Sequence, residues 1–142
     1  MINKLLALSR KANSEKETQK LAREFMRMVP RGFTICLDGP LGAGKTTFVR
    51  YCAEVLGASE QVSSPTYVLQ HIYQGSGTTI EHWDLYRLTT LEDELLEPPE
   101  ANTLRFIEWG SKFPEFSSHF DIEIQIGLTD SSEERVFQFS KR

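Results

Sequence analysis

Gly39-Pro40-Leu41-Gly42-Ala43-Gly44-Lys45-Thr46 is the stretch on which the fold turns. It fills every fixed position of G-x-x-x-x-G-K-[ST], the pattern of a loop that wraps a polyphosphate. Glycines let the backbone approach the phosphates, and successive N–H groups then point inward as a nest for oxygen. The Lys45 ammonium can reach the outer phosphates, and the Thr46 hydroxyl is a ligand type for Mg²⁺. The helix that must follow brings a positive dipole end beneath the anion. A chain of this length would match by chance roughly once in two hundred sequences at average residue usage.

The flanks fit the same reading. Upstream, Phe33-Thr34-Ile35-Cys36-Leu37 has the composition of a buried strand. Downstream, Phe48, Val49, Cys52, Val55 and Leu56 recur at helical spacing from Thr46, and Gly57 ends the run. Strand, loop and helix predict an α/β P-loop NTPase-like three-layer sandwich.

The rest of the chain extends that plan. Ser14 to Met28 reads as a helix with Ser14 and Glu17 as a capping box and Pro30 beyond its end. Residues 2–9 are apolar and fit a first strand or a helix, with strand the favoured reading. Gln61 to Pro65 reads as a polar loop. Thr66 to Tyr73 and Thr78 to Tyr86 form a hairpin across Gln74-Gly75-Ser76-Gly77. Thr89 to Leu96 reads as a short acidic helix stopped by Pro98-Pro99. Leu104 to Trp109 is another strand, and Asp121 to Leu128 pairs with Arg135 to Ser140 across Thr129–Ser132. The sheet is expected to be mixed, parallel near the loop and antiparallel elsewhere.

Composition bounds the function. With 142 residues, the whole of 1–142 reads as one domain with a proper core. The 16 basic and 20 acidic residues leave a net charge of −4, which argues against gripping nucleic acid directly. Any dealing with RNA would run through a partner. No apolar run is long enough for a membrane span, and the start lacks the form of a signal peptide, so a cytoplasmic protein is expected. Cys36 and Cys52 read as buried free thiols. The three histidines are scattered and suggest no metal cluster.

A phosphate loop alone binds; hydrolysis or transfer also needs a carboxylate near Mg²⁺ and a group that orients water or acceptor. Asp84 and Glu108 each end an apolar strand, where this architecture places ligand-facing residues. Asp84 is the first candidate for a Walker-B-type aspartate, with a turn cap as the plainer reading. Glu108 is a candidate for Mg²⁺ or for polarising water. Ser64-Pro65-Thr66-Tyr67 stands where a switch would sense the outer phosphate, with Thr66 supplying the hydroxyl. His82 reads as a packing or hydrogen-bonding residue. Arg87 and Arg105 read as surface residues, with phosphate or partner contacts as the alternative.

Taken together, Leu41-Gly42-Ala43-Gly44-Lys45-Thr46-Thr47, Ser64-Pro65-Thr66-Tyr67, His82-x-Asp84-Leu85-Tyr86-Arg87-Leu88 and Ile107-Glu108-Trp109 resemble the TsaE (YjeE) family from about Thr18 to Arg135. The resemblance implies a Mg²⁺-dependent ATPase, weak alone, that acts with TsaB and TsaD in making threonylcarbamoyladenosine on tRNA, touching tRNA only through that complex. It implies phosphate binding by Gly39, Gly42, Ala43, Gly44, Lys45, Thr46 and Thr47. It implies Mg²⁺ at Thr46 and Glu108 with Asp84 as the strand-end carboxylate, catalytic roles for Lys45, Asp84, Glu108 and Thr66, and adenine between Thr18 and Arg135. Pro40, Gly110 and the Pro98-Pro99 segment depart from the family pattern. No N-K-x-D motif is present, which favours ATP over GTP. Two other readings stand beside this one: a small-molecule kinase, for which a lid rich in arginines is missing, and a nucleotide-sensing module that does not hydrolyse.

Overall fold

The apolar run before the phosphate loop becomes a central strand, with Thr34, Ile35, Cys36 and Leu37 all buried. The computed structural model describes residues 2–61 and 70–141. In chain order the helices are α1 (Ile2–Leu6), α2 (Glu15–Met28) and α3 (Lys45–Val55). The strands are β1 (Arg10–Ala12), β2 (Thr34–Asp38), β3 (Ser59–Gln61), β4 (Gln70–Gly75), β5 (Thr78–Asp84), β6 (Thr103–Glu108), β7 (Ile122–Leu128) and β8 (Arg135–Lys141). Three 3-10 turns, Asp93–Leu96, Gly110–Lys112 and Pro114–His119, fall between β5 and β7.

The described strands form one sheet in the order β1-β8-β7-β2-β6-β5-β4-β3. β2 pairs in parallel with β6 and β7, and β5 in parallel with β6. The flanking pairs β1–β8, β7–β8, β3–β4 and β4–β5 are antiparallel. The mixed sheet expected from the sequence is therefore present. Its four parallel strands end together on one edge, and that edge carries the phosphate loop.

Alternation along β2 feeds two cores. Ile35 and Leu37 face α2 and α3, in a cluster with Leu21, Phe25, Phe48, Phe106 and Phe137. The ring centroids of Phe25 lie 5.8 Å from Phe48, 6.3 Å from Phe106 and 5.7 Å from Phe139. Cys36 faces the opposite side, among Trp83, Ile107, Phe113, Phe116 and Phe120. Each fully buried large apolar side chain contributes about 1.5–3 kcal/mol. The layer over this second face is built of 3-10 turns and loops rather than long helices.

α2 starts as the capping signal predicts. The Glu17 amide donates to Ser14 Oγ at 3.2 Å. Glu17 Oε1 accepts from the Asn13 amide at 3.0 Å, one residue upstream of the cap residue itself.

Three local expectations are corrected. Residues 2–9 do not form a strand: Ile2–Leu6 is helical, and Leu5 and Leu8, three apart, are both buried. The edge position beside β8 is taken instead by Arg10–Ala12. Thr89 to Leu96 is not an α-helix; only Asp93–Leu96 winds, as a 3-10 turn with Leu95 alone buried. One fully buried residue, with Leu91 only partly buried beside it, cannot offset the cost of nucleating a longer helix. The expected loop at Gln61 to Pro65 begins as an edge strand, with Gln61 paired to Ile72. The remainder of that loop, and Thr66 to Leu69 of the expected strand, lie outside the described residues. No helix among the described residues is long and apolar enough to cross a membrane.

Neither cysteine forms a disulfide, and both are fully buried. Burial pushes the Cys52 thiol far up, so its reactive thiolate is scarce. Neither cysteine is expected to react with a disulfide reagent in native buffer at neutral pH, and both are expected to react in urea. Fast labelling of Cys52 in the native protein would contradict this packing.

Candidate phosphate-binding site

The loop between β2 and α3 takes the shape that its glycines permit. Gly42 and Gly44 have φ of 81° and 100°, and a Cβ on either would meet nothing within 4 Å, so their backbone faces open space. Gly39 is different. At φ 149°, a Cβ there would lie 2.4 Å from the Ile126 carbonyl oxygen on β7. Gly39→Ala is expected to displace the loop from β7 and to destabilise the fold by roughly 1–3 kcal/mol, read as a shifted urea midpoint.

Lys45 is buried at the start of α3. Its ammonium donates to the Gly39 carbonyl at 2.5 Å and the Pro40 carbonyl at 3.3 Å, and stands 4.2 Å from the centre of the Trp109 ring. Trp109 has a left-handed backbone, φ 65°, directly after Glu108. Such strain in a residue with a side chain costs about 1–3 kcal/mol and concentrates at functional positions.

Glu108 is buried at the tip of β6, with Leu37 of β2 as its register partner. Thr46 Oγ1 donates to Glu108 Oε2 at 2.7 Å. His82 Nε2 lies 2.5 Å from the same oxygen. An ionised carboxylate only accepts, so Nε2 carries the proton. Burial pushes the Glu108 carboxyl up, but the bond and charge of His82, the Thr46 hydroxyl and the Lys45 charge outweigh it and hold the group below its ordinary value. His82 Nδ1 is buried without a hydrogen-bond partner.

Asp84 stands opposite Glu108 in the parallel register. Its carboxylate is exposed and accepts from the Tyr86 amide at 3.0 Å, which is the turn-capping geometry. Thr18, Gly42, Ala43, Gly44, Thr47 and Arg135 line one cavity of about 160 Å³. Arg135 Nε donates to the Ala43 carbonyl at 2.9 Å, so the guanidinium also braces the loop. Thr66 lies outside the described residues.

The arginines divide. Arg87 is exposed, as expected. Arg105 is not a surface residue: it is buried, with Nε 2.8 Å from Glu81 Oε1 and a further bond to the Glu97 carbonyl. It ties the segment after β5 to the sheet, because a buried guanidinium must be paired.

Sequence reasoning missed the place of His82 at Glu108, and that of Trp109 at Lys45. The first was within reach, since His82 and Asp84 alternate onto the same face of β5. It missed also a gathering of Cys36, Asp38 and Glu123 whose ligand atoms lie within 4.8 Å of one another. That group faces the opposite side of β2 from Glu108, and Glu123 reaches it only through the pairing of β7 with β2.

A phosphate loop joining the central parallel strand to its helix makes the chain a P-loop NTPase-like α/β protein. Comparison with known proteins narrows the class. The family described as "Threonylcarbamoyl adenosine biosynthesis protein TsaE" matches residues 12–137. A protein of Treponema pallidum named "tRNA threonylcarbamoyladenosine biosynthesis protein TsaE" is 33% identical over 131 residues, covering 87% of this chain and 94% of its own. Its namesake in Aquifex aeolicus is also 33% identical over 131 residues, with 90% and 92% covered. That of Rickettsia conorii is 35% identical over 127 residues, with 84% and 71% covered. The crystal structure of Bacillus subtilis YdiB superposes with a TM-score of 0.67 at 22% identity, covering 94% of this chain and 85% of that one, which shows the shared fold. The chain belongs to the TsaE family.

The donor set can be tested against the groups that the family implies. The Thr46 hydroxyl and the Glu108 carboxylate, 2.7 Å apart, are the oxygen ligands that Mg²⁺ accepts beside phosphate. The open backbone at Gly42 and Gly44 leaves the room that a polyphosphate needs. The residues fit.

Proposed function

We propose that this chain is a Mg²⁺-dependent ATPase serving the synthesis of threonylcarbamoyladenosine on tRNA, in company with proteins of the TsaB and TsaD type. Its place in that biosynthesis follows from membership of the family. The ATPase reading rests above all on one observation: Lys45, Thr46 and Glu108 converge at the tip of β2, the last two within a hydrogen bond.

Each residue then has a task. The backbone of Gly39, Gly42, Ala43 and Gly44, with Lys45 and Thr47, holds the phosphates. Thr46 and Glu108 hold the magnesium, with Asp84 next to Glu108 as a further carboxylate. Bound magnesium would neutralise charge that builds on the transferred phosphoryl group. Both Thr46 and His82 engage Glu108 Oε2, so Oε1 is free of either and can orient the attacking water. His82 keeps the carboxylate ionised and fixed in direction. Thr18 and Arg135 contact the base in the cavity that both of them line. Thr66 would sense the outer phosphate.

The test is reconstitution. The purified chain is expected to bind ATP in the presence of Mg²⁺, to release phosphate slowly alone, and to release it faster with TsaB, TsaD and substrate tRNA. Omitting it is expected to stop tRNA modification. Failure to bind ATP would end the proposal. Transfer of the outer phosphate to a metabolite would favour a kinase. Full modification supported by a variant that cannot hydrolyse would favour a sensing module.

A further inference from the structure

Lys112 is the last residue of the 3-10 turn Gly110–Lys112, four positions after Glu108. It is exposed, yet its ammonium is fully engaged. Nζ donates to three backbone carbonyls: Leu85 at 3.2 Å, Tyr86 at 2.7 Å and Leu88 at 2.8 Å. An ammonium has three donors and no acceptor, so three converging carbonyls saturate it. Carbonyl dipoles aimed at one point repel one another unless a positive charge sits there, which is how backbone oxygens bind monovalent cations.

The turn so held is the one that follows β5. The Leu85 amide donates to the Glu108 carbonyl at 3.0 Å, and the Leu88 amide to the Leu85 carbonyl at 3.1 Å. The Tyr86 amide caps Asp84, and the Tyr86 ring packs against Trp109, tilted by 56° with centroids 5.0 Å apart. Trp109 in turn meets the Lys45 ammonium. Asp84 and Glu108, from two strands, are thereby tied into one unit.

We propose that Lys112 is a tethered cation: it fills a three-carbonyl cage in the Leu85–Leu88 turn, where a free monovalent cation would otherwise serve, and so positions Asp84 and Trp109 at the phosphate loop. Its effect on turnover rests on the ATPase reading above; its effect on the turn does not. Because the cage opens to solvent, a small cation can replace the tether when the side chain is cut back.

The test uses the full chain and Lys112→Ala in choline chloride, with potassium or methylammonium chloride exchanged at matched ionic strength. In choline, the substitution is expected to speed amide exchange at Leu85 and Leu88 about tenfold. It is expected to lower kcat for ATP about tenfold, with KM changed less than about twofold. Methylammonium or potassium is expected to restore at least half of both losses, while wild type ignores the exchange of salts. A structural side chain without the cation role would give a loss that no small cation repairs, and that result overturns the proposal. So does unchanged amide exchange in the variant. Should Lys112→Ala fail to fold, the wild-type Lys112 ammonium itself reports: ¹⁵N spectra are expected to show its protons protected from water, and free exchange there overturns the proposal. A wild type without ATPase activity, but with the exchange results intact, would defeat the functional reading and leave the tether standing.

Discussion

Lys45→Ala is expected to reduce ATP hydrolysis by about 10³-fold and to weaken nucleotide binding severely. Lys45 is buried at the first position of α3 and supplies a positive side-chain charge within bonding distance of the Gly39 and Pro40 carbonyls. Removing it leaves those two carbonyls without their ammonium donor and takes away the Trp109 contact at 4.2 Å. Lys45→Arg is not expected to rescue activity, because a planar fork does not fit a point-charge position. The fold should persist, since the side chain is not part of either hydrophobic cluster. Isothermal titration with ATP and Mg²⁺, beside phosphate release, measures both losses. Hydrolysis indifferent to the substitution would remove the loop from the chemistry.

Glu108→Gln is expected to lower kcat by about 10²–10³-fold while ATP affinity stays within about threefold. The amide oxygen can still accept from Thr46 and His82, so the local packing survives. What is lost is the charge that binds magnesium and orients water. A parallel Asp84→Asn variant separates the two carboxylates: Asp84 is exposed and already engaged by the Tyr86 amide, so a smaller loss is expected.

The same substitution alters acid stability. The Glu108 carboxyl is held below the ordinary value of 4.5 in the fold. Its contribution is therefore present above the unfolded value and is lost as pH falls through the folded one. Between neutrality and about pH 5 that contribution is constant. Glu108→Gln is expected to flatten the part of the stability curve below pH 4.5 that belongs to this residue, measurable by urea unfolding across pH.

Much of the site could be read from the chain. The phosphate loop is contiguous, so its geometry is encoded within eight residues and their flanks, and the glycine spacing alone demands the turn. Asp84 and Glu108 were legible as strand-end carboxylates because strand ends are marked by where apolar runs stop. Long-range pairings were not. His82 looks like any strand histidine until β5 is laid in parallel beside β6, which brings it to Glu108 Oε2. Arg105 looks like a surface arginine until the same pairing sets it against Glu81. Thr18 and Arg135 entered only through family likeness. Their shared cavity exists because α2 packs on α3 while β8 runs beside β7.

By itself, then, the sequence determined the strand, loop and helix around Lys45, the mixed character of the sheet and the buried state of the two cysteines. Each depends on local backbone freedom or on apolar periodicity, which neighbouring residues carry. Tertiary structure alone decided that residues 2–6 coil rather than extend, that the acidic stretch before Pro98 makes a single 3-10 turn, and which side chains hold Glu108, Lys45 and Lys112 in place. Those outcomes depend on strand order and register, and register is set by the summed fit of two whole sheet faces rather than by any one stretch of chain.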